Sequence, residues 1–163
     1  MAVISFDATN RFVQSYVWTS ANKALLPGLG GNFVEATALN DGGFVTGAAS
    51  DSTDTNFQAA VWVPQSHAAI PLGTVGGDTG SIGLAINNHG VVVGGSGSVT
   101  VSAAASYAHA FIWREGRMYD LNTLVPAGAP LTLNVAYAIT DGGIVAGLGT
   151  NAGGETHAFV LMP

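Results

Sequence analysis

The chain has 163 residues and no cysteine. No disulfide framework, thiolate nucleophile or cysteine-type zinc site can be built from it. Lysine and arginine number four against ten acidic residues, a formal charge of −6. Nucleic-acid binding begins with phosphates neutralised by clustered cations, so no nucleic-acid partner is expected. The same scarcity removes the electrostatic route to an anionic membrane surface. No apolar run approaches the ~20 residues of a spanning helix, so no membrane insertion is expected. The opening residues MAVISFDATNR lack a basic stretch followed by an apolar one, and no signal peptide is read in them.

Charge of either sign is sparse, at 9% of residues, against roughly 25% in an ordinary globular domain. Surface helices need long charged side chains on their wet face, and this composition does not provide them. What is abundant is glycine, 23 residues, and hydrophobic side chains, 48%. Glycine supplies the positive φ of tight turns. The hydrophobic share is too high for disorder and sufficient for a core in one domain of this length. The composition predicts an all-β fold of short strands.

The chain repeats itself. ALNDGGFVTG (38–47), AINNHGVVVG (85–94) and AITDGGIVAG (138–147) align without gaps, each reading as strand, tight turn, strand. Between them recur QSYVW (14–18), QAAVW (58–62), HAFIW (109–113) and HAFVL (157–161). A third element leaves through a corner at LLPGLGG (25–31), IPLGTVGG (70–77) and MYDLNTLVPAG (118–128). One unit of about 48 residues thus holds four strands: A (HAF-like), B (Leu-Gly), C (Ala-Ile-Asn) and D (Val-Val-Gly). The chain reads D, ABCD, ABCD, ABCD, A. This is a single repeat domain over 1–163, with an N-terminal hairpin at 1–18 and units at 19–62, 63–113 and 114–161.

The HAF motif, the Leu-Gly-x-Leu-Gly-Gly corner and the Ile-Asn-x-x-Gly-x-Val-Val-Gly hairpin resemble the HAF repeat family of bacterial, often extracellular, proteins. The pattern departs at Gln14 and Gln58, where the family has histidine, and at VPAG (125–128), which replaces the glycine corner. The resemblance implies blades like those of a β-propeller and a secreted or cell-surface location. It implies no catalytic residues, because the family has no characteristic ones.

A four-stranded unit cannot bury both faces alone, so neighbours must stack. A β-propeller-like arrangement is expected, with a β-trefoil as the alternative; the strands of this order outnumber those of three trefoil units. Three units fall short of the four or more blades of a closed propeller. Open ends recruit partners, so a homo-oligomer is expected, with another protein or a glycan as a further partner.

No enzyme is expected, and neither a cofactor nor a metal. His109 and His157 share a repeat position with Gln14 and Gln58, which suits a polar strut across a blade better than a metal pair. His67 and His89 fall in turns. Asp41, Asp78 and Asp141 sit beside glycines as turn residues, and Asp51 and Asp54 lie in the polar loop DSTDT. Glu35, Glu115 and Glu155 occupy unlike repeat positions and give no carboxylate pair. GGSGS (94–98) lacks the strand-to-helix context of a nucleophile elbow. Trp18, Trp62 and Trp113 recur once per unit as core residues ending strand A, or alternatively form a platform for sugars. A ligand site is placed where the repeat is broken: the insertion SGSVTVSAAASY (96–107) with Tyr107, the segment VPAGAPLTLN (125–134), and the turn between Arg114 and Arg117.

Overall fold

A computed structural model describes residues 2–6, 13–18, 22–100 and 103–163. The turn of the expected N-terminal hairpin (7–12) and positions 101 and 102 of the insertion lie outside them. The fold is all-β, in antiparallel sheets. Its strands are β1 (Ala2–Phe6), β2 (Val13–Trp18), β3 (Lys23–Leu25), β4 (Val34–Leu39), β5 (Val45–Ser50), β6 (Phe57–Trp62) and β7 (Ala69–Gly73). They continue with β8 (Gly80–Ile86), β9 (Val92–Ser98), β10 (Ser106–Arg114), β11 (Arg117–Asp120), β12 (Thr132–Ile139), β13 (Val145–Thr150) and β14 (Thr156–Leu161). Beyond one short 3-10 turn, Leu121–Thr123, the described residues hold no helix, and so none long and apolar enough to cross a membrane.

Hydrogen bonding groups these strands as D-A-B (β1–β3), C-D-A-B (β4–β7), C-D-A-B (β8–β11) and C-D-A (β12–β14). Sheet boundaries therefore fall between B and C, inside each sequence unit rather than at its end. A single pair, Val135 with Gly95, links the last two groups into one larger sheet.

The C–D pairing explains the recurrent glycine of strand D. Each C strand carries a register shift at the same place: Ala36/Ala38, Gly83/Ala85 and Ala136/Ala138. Such a bulge bends the strand and increases its local twist. A Cβ at Gly47, Gly94 or Gly147 would overlap the carbonyl oxygen of Glu35, Ile82 or Val135 respectively. Only glycine fits there.

The connecting turns are longer than a two-residue Asp-Gly hairpin. Gly43, Gly90 and Gly143, at φ of 81°, 76° and 82°, close three-residue loops. Their amides donate to the carbonyls of Asn40, Asn87 and Thr140, as in a type I turn followed by a left-handed residue. The side chains of those three residues accept from the amides of Phe44, Val91 and Ile144, which secures each loop.

The core lies between sheets rather than within one. Val17 packs on the cluster of Ala60 and Trp62; Val61 and Ala59 pack with Ile86, Val92 and Phe111; Val93 and Ala110 pack with Ala136, Val145 and Phe159. In each case the D/A face of one sheet meets the opposite face of the next. Tight contact at these faces is why alanine and glycine dominate them.

Candidate functional site

The C–D loops of successive units touch one another at one end of the molecule. Asn40 Nδ2 donates to the carbonyl of Asn87 (2.9 Å), and Asn87 Nδ2 donates to the carbonyl of Thr140 (3.1 Å). Asn88 lies between two carboxylates: its Nδ2 donates to Asp41 Oδ2 (2.9 Å) and Asp141 Oδ2 (3.0 Å), and its amide to Asp141 Oδ1 (2.8 Å). Those bonds, the Asn88 amide first, hold the Asp141 carboxyl below the usual carboxylate range. The ladder lets three loops that are far apart in sequence share one register.

Beside it, clefts open between neighbouring sheets. The first, about 310 Å³, has Phe44, Val61, Ile70 and Trp113 as apolar walls. The equivalent cleft one sheet further on, about 450 Å³, is lined by Asn87, His89, Val91, Ile112, Arg114 and Asp141 among others. Its repeat partners differ in character: Arg114 stands where the previous unit has Val63, His89 where it has Gly42, and Asp141 where it has Asn88. The first cleft already sets Asn40, Asn88 and His89 beside its apolar walls, and the second adds the charged side chains of Arg114 and Asp141 over an aliphatic floor. Arg114 also lies over the Tyr119 ring, 5.6 Å from its centroid.

The three residues read from the sequence as a ligand site do not assemble. Arg114 and Arg117 face each other across the β10–β11 hairpin. Tyr107 sits at the other end of β10, seven residues or about 23 Å away. There it stacks on Gly95 and packs against Ala48, Ile82 and Val99, and burial raises its phenol pKa. Arg114 alone lines the cleft. Of the segment 125–134, Val125 and Pro126 border an adjoining apolar cleft with Leu124, Leu161 and Met162. His89 and Asp141 were read only as turn residues, and no local pattern distinguishes them; comparison of matched repeat positions does.

The shared position of Gln14, Gln58, His109 and His157 holds four different environments. His109 Nδ1 lies 2.9 Å from Asp78 Oδ2, which also accepts from Ser96 Oγ (2.7 Å). The hydroxyl in turn accepts from the Val75 amide (2.9 Å). This ties strands β9 and β10 to the corner before β8. The serine hydroxyl is spent on the carboxylate, not on the imidazole, unlike a nucleophile activated by its base. His157 is exposed, near Asn151 and Glu155. Gln14 accepts from the Tyr16 hydroxyl, and Gln58 borders a shallow cleft with Leu29 and Asn56.

Among the tryptophans, Trp62 is 1% exposed and donates to the Pro27 carbonyl (2.8 Å). Trp113 is half-buried against the central cluster. Trp18 is 39% exposed, with Lys23 Nζ 5.3 Å from its ring centroid and 3.8 Å from that of Tyr16. The three do not present one platform. In the DSTDT loop, Asp54 accepts from Ser50 Oγ, the Asn32 amide and Asn32 Nδ2. These bonds, Ser50 first, lower its pKa, and Asp51 is likewise lowered by Thr53. His67 occupies a turn at positive φ, its amide donating to the Val63 carbonyl.

One surface departs sharply from its equivalents. The cross-strand row Ala38–Thr46–Val61 is matched by Ala85–Val93–Ile112 and by Ala138–Ala146–Val160. Thr46 and Val61 are 0% and 4% exposed and Val93 is 0%, because the next sheet covers them. Val160 is 60% exposed. In the adjoining row Ala48, Ala59 and Ala110 are fully buried, whereas Ala158 is exposed. The last sheet presents a stacking face with nothing described upon it. No family model matches the chain, and no curated protein matches it.

Proposed function

We propose that this chain is a non-catalytic β-repeat module for binding and assembly, propeller-like in its stacking and of the HAF repeat type, which self-associates to extend or close its array of sheets. One observation carries the reading: the face of β13 and β14 repeats a face that is covered three times inside the chain, yet none of the described residues covers it. An uncharged row of alanine and valine left to water is a docking surface in waiting. The HAF resemblance adds a secreted or cell-surface setting. Absolute molar mass by light scattering behind a sizing column tests it. A dimer or larger species supports assembly; a monomer at every concentration removes it.

A second reading, carbohydrate binding, draws on the cleft at Asn87, His89, Arg114 and Asp141. Neutral and charged donors and acceptors over an aliphatic floor suit vicinal hydroxyls and one apolar sugar face. A glycan array decides: binding that Arg114→Ala abolishes favours a lectin-like role, and a blank array leaves assembly alone.

A further inference from the structure

The two ends of the stack are complementary. At each internal junction a side chain of strand A reaches over the D/A face of the preceding sheet: Trp62 over Val17, Phe111 over Val61 and Ala59, Phe159 over Val93 and Ala110. The repeat alignment assigns Tyr16 to the position of Phe111 and Phe159, and Trp18 to that of Trp62. Tyr16 and Trp18 therefore belong to the covering face of the first sheet, while Ala146, Ala158 and Val160 form the covered face of the last. One end carries the large residues, the other the small ones.

The geometry points to a head-to-tail contact in which Tyr16 and Trp18 of one copy of this chain cover Ala146, Ala158 and Val160 of another. The inference rests on the assembly reading above and names its two surfaces. A second copy is the occupant because the junction already occurs three times within the chain, each time between two units of the same repeat. A two-fold contact would set small residues against small residues and leave the aromatic end unused. Among the described residues the first sheet brings D, A and B strands to this junction, and the population of a contact between two copies depends on concentration. Heterologous contacts of this kind end in a ring or continue as a filament.

Mixing two end-blocked variants separates the alternatives. Val160→Lys blocks the tail and Trp18→Glu blocks the head; both positions are already solvent-accessible, and unchanged melting temperatures verify the fold. Each variant alone should be monomeric by light scattering at a concentration where the unaltered chain is not. Their equimolar mixture should recover a species of twice the monomer mass, because one intact head meets one intact tail. If Trp18→Glu alone still assembles, the head-to-tail contact is wrong while assembly stands. If the mixture stays monomeric although the unaltered chain assembles, it is wrong as well. If the unaltered chain is itself monomeric throughout, both readings fall.

Discussion

Asn40 donates its side-chain amide to the main-chain carbonyl of Asn87, 47 residues later and 2.9 Å away. Asn87 repeats the gesture toward Thr140, where a threonine ends the series. Each asparagine thus does two things: its oxygen secures its own loop and its nitrogen fixes the position of the next. Thr140 performs only the first, through Oγ1 to the Ile144 amide.

That division of labour makes a graded prediction at Asn87. Asn87→Ala removes both functions from a buried site and should cost about 1–3 kcal/mol. Asn87→Thr keeps a loop-securing oxygen, as Thr140 shows, and should cost less. Urea unfolding of the two variants orders them.

Gly94 faces the Ile82 carbonyl so closely that no Cβ fits, and the Phe111 ring lies 2.9 Å from where that atom would be. Gly94→Ala should therefore destabilise by about 1–3 kcal/mol through overpacking. Gly153, whose added Cβ would meet nothing nearer than Asn151 Oδ1 at 3.3 Å, serves as the comparison: Gly153→Ala should shift the unfolding midpoint little. Equal losses at the two sites would dismiss the close approach as the reason for the repeated glycine.

Glu35 is half-buried, and burial raises its pKa. A carboxyl whose folded pKa is raised binds its proton more tightly in the folded state. Its contribution to stability is present below the unfolded value of about 4.3 and is lost as pH rises through the folded value. Glu35→Gln should accordingly melt higher than the unaltered chain at neutral pH, with the difference vanishing in acid. Asp54 acts in the opposite sense. Its lowered pKa contributes stability above about 3.9, lost as pH falls through the folded value, so Asp54→Asn should flatten the acid side of the profile. Thermal melts from acid to neutral pH read both signs.

Asp78 receives both Ser96 and His109, and Ser96 is fully buried. Asp78→Ala leaves that hydroxyl only the more distant Gly80 carbonyl, at 3.4 Å, as its acceptor and should cost about 1–3 kcal/mol. His109→Gln should be nearly neutral, since an amide can donate to the same carboxylate. A large loss from His109→Gln would mean the imidazole has a role beyond that of a strut.

The all-β class and the order of strands were legible because they depend on local chemistry. Alternating β-branched residues, glycine-bearing turns and the near absence of charge each act within a few residues. The recurrence of Asn40, Asn87 and Thr140 was equally visible, though not its purpose, since their partners lie 47 and 53 residues away. Tyr107 and Arg114 looked like neighbours in sequence, and a strand carried them to opposite ends. His89, Arg114 and Asp141 looked unrelated, and stacking of two sheets brought them to one cleft.

By itself the sequence determined the strands, their turns and the repeat, all consequences of side-chain preference and backbone sterics at short range. Tertiary structure alone decided which four strands share a sheet, which face each sheet lends to its neighbour, and that Val160 is left uncovered where Val61 is buried. Burial is a property of what packs on top of a residue, and two valines at the same repeat position differ in that.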